Sequence, residues 1–495
     1  MPNEPLILAI DQGTTNTKVI LVDGRGSIVA EASRPMDIEY PRPGWVQQDA
    51  DGIWQAVREC MDETLEKAGT PALAAVAISN QRESGVAWER SGGAPLGPVV
   101  TWQCRRSADL CERLRADGRA AQIQARSGLP IDPMFAAGKL RWLLDHAPDG
   151  QVRAADGDIR LGTVDSWLLW NLSGGAQHRT DVSNASRTQL MDISTGAWEG
   201  DLAAAFGVPL AALPEIAPSS GIFGETVAVG RLPAGVPIGS MVGDSHAALF
   251  GHAAFERGSV KATYGTGSSL MMPTPTLLRS DSGLASTIAW GLDDGTVYAL
   301  EGNIYVTGAA VQWLADFVGL DGPGAVAELA ASVTDTVGVY LVPAFVGLGA
   351  PHWDDGARGL VSGLTRGSSL SQLARATIES IAYQVRDVFD EMQAVGGGAL
   401  DILLADGGAT RNAQLMQFQA DILGVPVLRN DTAELSAVGA AYLAGLAAGV
   451  WASTDDIAAL PRSVERFEPR MSDHERERLY AGWQEAVARA TLHPA

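Results

Sequence analysis

The chain has 495 residues, too many for one hydrophobic core, so two to four domains of roughly 100–200 residues are expected. Hydrophobic residues make up 46% and charged residues 19%, which excludes a disordered chain. A net charge of -22 excludes a basic nucleic-acid-binding or anionic-membrane surface, but not a nucleotide, whose charge a bound Mg²⁺ and local backbone N–H groups can offset.

The N-terminus, MPNEPLILAIDQG, has no basic leader, and its apolar run is only LILAI, so no signal peptide is expected. LILAIDQGTTNTKVILVD then reads as two strands joined by a Gly/Thr/Asn turn. That turn groups backbone N–H groups with the hydroxyls of Thr14 and Thr15. It is either an anion nest for phosphate or an ordinary hairpin with an Asx-turn. Asp11, ending a buried strand, would favour a nearby cation, Mg²⁺ through water. GIWQAVRECMDETLEKA (52–68) has helical periodicity. Residues 243–251 read GDSHAALFG, with a helix expected to begin just after Asp244. A carboxylate there is held ionised by the helix N-terminus, and local sequence alone favours a plain N-cap.

SVKATYGTGSSLMM (259–272) repeats the strand–turn–strand pattern in the other half of the chain. SLSQLARATIESIAYQVRDVFDEMQ (369–393) is a second long helix. LDILLADGGATRN (400–412) is a strand followed by paired glycines, which either admit a flat ring close to the backbone or simply turn into the next helix. AVGAAYLAGLAAGVWA (437–452) falls short of the roughly 20 residues of a membrane span and reads as a tightly packed buried helix. Cys60, Cys104 and Cys111 form no CxxC or Cys/His cluster, so neither a disulfide framework nor a zinc site is expected, and a reducing cytoplasm fits. Hairpins and helices in both halves predict an α/β protein of two domains, 1–250 and 251–495, with a cleft between them.

Beyond these elements, PGWVQQD, NQRE, WQCRR, GTVDSWLLW, SNASRTQL, ALEG, GVYLVPAF, GLGAPHWD and LTRG follow one another in order. With GLVSGLTRGSSLSQLARATIE (359–379), they make the chain resemble the FGGY carbohydrate kinase family, closest to its glycerol kinases. The resemblance runs from DQGTT to YAGWQEAVARA. MFAAGKLRWLLDH (134–146) fits a second family signature except at Ala136, where the family prefers Pro, Ser or Thr.

The resemblance implies two actin-like, ribonuclease H-like domains with a catalytic cleft between them. It implies transfer of the ATP γ-phosphoryl group to the terminal hydroxyl of a small polyol, glycerol first, or alternatively of a four- or five-carbon polyol or ketose. Asp244 matches the general base, which such chemistry needs because an alcohol is a poor nucleophile. Arg82 and Glu83 match a pair that hydrogen-bonds the polyol, although neighbours of this kind can also be a surface ion pair. Trp102 matches an aromatic packed on the polyol carbons. ATP-binding positions fall on Thr14, Thr15, Lys18, Gly265, Thr266, Gly267, Gly308 and Gln312, with Gly408 and Asn412 near the adenine. Asp11 and Asp244 would hold Mg²⁺. A cytoplasmic homodimer or homotetramer is implied.

Several positions depart from the family. Lys18 stands where an Arg is usual, keeping the charge but losing the guanidinium fork. The family's GDQQAALFG is GDSHAALFG here, so Ser245 replaces a substrate-contacting Gln and His246 a second Gln. Met134 stands for a Tyr and Ser269 for a Phe, so the pocket is expected to be larger and differently polar. On a helix, His246 points about 100° away from Ser245, so a supporting role is expected rather than a catalytic one. In VGRLPAGVPIG (229–239), Gly235 replaces an Arg that binds fructose 1,6-bisphosphate in many bacterial relatives, so that regulation should be absent or weak. Two rivals are a shape-switching actin-like ATPase and a binding-only relative. Asp244, Arg82, Glu83 and Trp102 together speak against the first, and the retention of Asp11 and Asp244 against the second.

Overall fold

The structure, a computed structural model, describes residues 5–255, 258–280, 282–432 and 434–492. The start of the N-terminal stretch read for a leader, residues 1–4, lies outside the described residues.

The first hairpin forms where its pattern predicts. β1 (Leu6–Gln12) and β2 (Asn16–Val22) pair antiparallel around the turn at 13–15. β3 (Ile28–Pro35) extends this meander, and β4 (Leu73–Asn80) joins β1 in parallel. β5 (Ser220–Glu225) and β6 (Pro237–Gly243) complete a six-stranded sheet, ordered β5-β6-β4-β1-β2-β3. Helix α1 (Ala50–Lys67) starts at the Asp49 cap, whose carboxylate accepts from the amides of Asp51 and Gly52.

The second sheet repeats the plan. β7 (Ser259–Tyr264) and β8 (Ser268–Thr274) form its hairpin, flanked by β9 (Ala285–Leu292) and β10 (Gly295–Ile304). β11 (Ile402–Asp406), β12 (Val427–Asn430) and β13 (Val464–Phe467) give the order β9-β10-β8-β7-β11-β12-β13. In each sheet three antiparallel strands lead into two parallel ones, β3-β2-β1-β4-β6 and β10-β8-β7-β11-β12. This repeat is the doubled α/β unit that the actin-like expectation requires.

The apolar faces explain the layering. One face of the first sheet is buried under α1 and the helix Val164–Leu172. One face of the second is buried under α4 (Leu370–Gly396), α5 (Ala413–Leu423) and the helix Asp473–Ala490. α3 (Gly308–Val318) packs on the same side. Between the sheets lie α2 (Asp244–Gly251) and α6 (Leu435–Ala447), in a core that draws Ala9 and Val242 from one sheet and Met271 and Trp290 from the other. The α2–α6 crossing demands glycine. A Cβ on Gly439 would stand 1.8 Å from the Ala247 carbonyl oxygen. The Gly/Ala-rich run at 437–452 therefore places a buried helix against another backbone. Among the described residues, no helix is long and apolar enough to cross a membrane. Cys60, Cys104 and Cys111 are free and buried.

Candidate active site

The parallel strands decide where the site lies. Gln12 of β1 and Gly243 of β6 are both in register with Asn80 at the end of β4. Asp11, the segment Gln81–Glu83 and Asp244 therefore emerge at one edge, the carboxyl ends of the strands, where open α/β sheets bind ligands. In the second sheet Thr263 of β7 is in register with Asp406 of β11, so the turns at 265–267 and 407–408 share one edge as well.

At the junction a buried ladder of charges crosses from one half to the other. Glu301 of β10 enters between two arginines of the N-terminal half. Its Oε1 takes Arg82 Nη2 at 2.7 Å, and Arg187 Nη1 lies 2.6 Å from its Oε2, a close ion pair out of hydrogen-bond alignment. Arg187 Nε donates to Glu83 Oε1 at 2.7 Å. Arg82 Nε reaches Asp244 Oδ1 at 3.3 Å. The Arg187 and Glu301 side chains are wholly buried, and Arg82 is 8% exposed. Burial alone would raise the Glu301 pKa, but the guanidiniums of Arg187 and Arg82 hold it well below the ordinary carboxylate range.

Asp244 closes the ladder and faces outward, with 38% of its side chain exposed. It is the first residue of α2, and Gly243 takes the cap position, so the N-cap reading fails. Its carboxylate accepts from the Ser245 amide at 2.6 Å. Desolvation raises its pKa, Arg82 opposes the shift, and Glu83 adds to it. Across the cleft floor the Asp11 pKa is pushed up to about 6, first by burial, with Asp244 and Glu434 adding and the Ser79 hydroxyl and Lys18 opposing. Ser79 donates to Asp11 Oδ1 at 2.7 Å.

The surface-pair reading of Arg82 and Glu83 also fails. Both are buried, their closest atoms are 3.9 Å apart, and each pairs more closely with another residue. Trp102, 37% exposed, donates its Nε1–H to Thr14 Oγ1 at 2.9 Å, tying the expected polyol aromatic to the first turn. The Thr14 carbonyl accepts from Gln48, which with Gln12 and Gln81 forms a buried amide network beneath the turn. Met134 packs against the small cluster of Leu129, Phe135 and Ala285, and its amide donates to Asp132 Oδ1 at 2.7 Å.

The second turn is built on glycine contacts. A Cβ on Gly267 would stand 2.4 Å from the Ile304 carbonyl oxygen, and one on Gly308 2.5 Å from that of Gly265. The amides of Gly308 and Ala309 donate to the carbonyls of Gly265 and Thr266, so Gly265, Thr266, Gly267 and Gly308 form one unit at the start of α3. Space beside Gly408 is open, since a Cβ there would meet nothing within 4 Å. Three expected nucleotide residues have protein partners instead. Lys18 pairs with Glu434 at 2.6 Å, Gln312 donates to Asp316 at 2.8 Å, and the Asn412 side chain caps α5. Thr15 is exposed at the first turn.

His246 is fully buried, with Nε2 3.2 Å from Thr287 Oγ1 and Nδ1 unpartnered. Burial holds its imidazole neutral, far below its ordinary pKa, and Arg82 adds to the effect. This is the supporting position expected of it. Sequence reasoning assigned no role to Arg187, Glu301 or Lys261. Arg187 and Glu301 sit inside SNASRTQL and ALEG, which carried only the resemblance. Lys261 is the one charged residue in the strand SVKATY, a signal that was available.

The chain matches the N-terminal domain of the FGGY family of carbohydrate kinases over residues 6–251 and its C-terminal domain over 260–448. It belongs to the FGGY family of carbohydrate kinases. A glycerol kinase of Stenotrophomonas maltophilia is 49% identical over 490 residues, covering 98% of each chain. An apulose kinase of Pectobacterium atrosepticum is 48% identical over 493 residues, covering 99% of each. A crystal structure of Plasmodium falciparum glycerol kinase with ADP superposes with a TM-score of 0.94 at 33% identity, covering 99% of both chains. As a member of the FGGY family, the chain is an ATP-dependent sugar or polyol kinase with the two-domain fold of that family.

Proposed function

We propose that this FGGY kinase phosphorylates the terminal hydroxyl of a small polyol, with glycerol to sn-glycerol 3-phosphate as the reference reaction. The observation that carries this reading is the Asp244 carboxylate, open to the cleft yet fixed at 3.3 Å by the buried Arg82. A carboxylate so placed accepts the alcohol proton as the oxygen attacks the γ-phosphorus. Arg82 and Glu83, immobilised by Glu301 and Arg187, orient the neighbouring hydroxyls, and the Trp102 ring covers the carbon chain. Thr14 and Thr15 on one side, with Gly265–Gly267 on the other, hold the phosphates between the halves, and the adenine lies over Gly408. Lys18 exchanges Glu434 for phosphate as the nucleotide binds. We place the closing units at residues 1–250 and 251–495, and closure excludes the water that would compete with the alcohol.

Asp11 and Asp244 fit a shared Mg²⁺. Burial first raises the pKa of both carboxylates, and Asp244 adds to the rise at Asp11, a cost that a divalent cation would relieve. Among the described residues no cluster of three or more His, Cys, Asp or Glu could form a full protein cage. That suits Mg²⁺, which rests on one or two carboxylates with water and phosphate oxygens. When bound, it would neutralise the charge developing on the transferred phosphoryl group. Free, buried cysteines suit a reducing compartment such as the cytoplasm.

A second reading, a four- or five-carbon polyol or ketose, is favoured by one observation. Ser245 and Ser269 face each other at 3.4 Å, and Ser269 stands where the resemblance puts an aromatic Phe, while a 48% identical relative is an apulose kinase. ADP release from Mg-ATP with glycerol, dihydroxyacetone, erythritol, threitol, xylitol, ribitol, D-xylulose and D-ribulose tests both readings, with Asp244→Asn as the blank. Release with none of them would defeat the proposal.

A further inference from the structure

The two serines belong to a directed chain of hydrogen bonds. Lys261 Nζ, on β7, donates to Ser245 Oγ at 3.4 Å. Ser245 Oγ donates to Ser269 Oγ at 3.4 Å, and Ser269 Oγ donates to Glu301 Oε1 at 3.1 Å. Its carboxylate end sets its direction. A lysine ammonium only donates, and an ionised carboxylate only accepts. Glu301 is held ionised by Arg82 and Arg187, which alone fixes the direction; burial lowers the Lys261 pKa, with Arg82 adding to the shift and Asp406, Asp244 and Glu301 opposing it. Both serine protons therefore run toward Glu301. Each serine oxygen then accepts one hydrogen bond, donates one, and keeps one lone pair. Both serines are half-buried, whereas both ends of the chain are fully buried. The two serines thus offer a substrate acceptors and no spare hydroxyl donor.

We propose that Ser245 and Ser269 form a subsite that reads one further substrate hydroxyl, beyond the three-carbon unit held at Arg82 and Glu83, and that Lys261 is the positioning residue that orients it. A hydroxyl there donates to the free lone pairs, whereas a carbonyl, carboxylate or phosphate oxygen would meet lone pair with lone pair. The chemical class this fits is a polyol, or a hydroxyl-bearing sugar, of four or five carbons. Glycerol leaves the two serines unanswered. The inference rests on the kinase reading above and specifies which oxygen the pocket selects.

The test compares kcat/KM for erythritol and threitol with that for butane-1,2,3-triol, which has the same four carbons with one terminal hydroxyl replaced by hydrogen. Glycerol is run alongside. The expected result is a preference of about tenfold or more for a tetritol over the deoxy analogue, since a site built to bond a hydroxyl rejects the analogue lacking it. Ser245→Ala and Ser269→Ala should each bring that ratio toward one. Lys261→Met should do the same by raising KM for the tetritol more than it lowers kcat, and Lys261→Arg should recover part of the ratio. A merely structural lysine would change all substrates alike. If Lys261→Met does not fold, the two serine variants decide. A wild-type ratio near one, or glycerol ahead of every longer alcohol, would overturn the subsite. Absence of ADP release with any alcohol would instead overturn the kinase reading on which it rests.

Discussion

Arg82 Nη2 lies 2.7 Å from Glu301 Oε1, so the arginine that faces the Asp244 carboxylate is held by a strand of the opposite half of the molecule. On the proposed function, the substrate pocket is completed only by both halves together. Glu301→Gln removes the anion shared by Arg82 and Arg187 and leaves two buried guanidiniums short of a partner. Breaking a buried pair from one side costs about 3–5 kcal/mol. A lower melting temperature and a raised KM for the alcohol are expected together, read by thermal denaturation and steady-state kinetics. Unchanged values for both would remove Glu301 from the site.

Asp244→Asn keeps the size of the side chain and removes its ability to take a proton. A loss of kcat of about 10²–10⁴ is expected, the usual contribution of general base catalysis. The melting temperature should hold or rise, because burial already disfavours the charged form of Asp244. A variant with wild-type kcat would show that the base lies elsewhere.

The pH dependence follows from Asp11. Its folded pKa, about 6, is above the 3.8 of an ordinary aspartate, so its ionisation opposes folding as pH rises through that window. Asp11→Asn should therefore gain stability at pH 7, on the order of 2 kcal/mol, and none below about pH 4. Activity should move the other way. Mg²⁺ needs the ionised carboxylate, so apparent Mg²⁺ affinity should fall as pH drops through about 6 in the native protein. Mg²⁺ titrations of the rate at several pH values check this, and a flat profile would count against Asp11 as a ligand.

Weak or absent regulation by a bisphosphate is expected of the loop holding Gly235. Gly235 has φ +81, a conformation that an arginine would adopt only under strain. The nearby Arg231 is engaged by Glu66 at 2.9 Å. Millimolar fructose 1,6-bisphosphate should leave the rate unchanged, and clear inhibition would refute this.

Gly439→Ala would drive a methyl group into the Ala247 carbonyl oxygen. α6 would have to move off α2, which carries Asp244. A destabilisation of about 1–3 kcal/mol or more is expected, with a fall in kcat. Calorimetry and kinetics on the same preparation test whether the crossing positions the base.

Much of the architecture was legible in the sequence because it is local. A strand, a Gly/Thr turn and a second strand are adjacent in the chain, and so are Asp244 and the helix it begins. Repeated in both halves, those patterns announced the doubled sheet, and the resemblance supplied the chemistry at Asp244, Arg82 and Trp102. Ion pairing between distant segments has no such signature. Nothing in NQRE says that Arg82 turns from its neighbour Glu83 to Glu301, or that Glu83 takes Arg187 instead. Nothing in GDSHAALFG says that Ser245 stands between Lys261 and Ser269. Those partners were chosen when the two sheets packed α2 and α6 between them, because a charge buried in that core must find an opposite charge within reach. The sequence by itself determined the turns, the helix that begins at Asp244 and the kind of enzyme. The tertiary structure alone decided which charges share the pocket floor, and so which hydroxyls it can read.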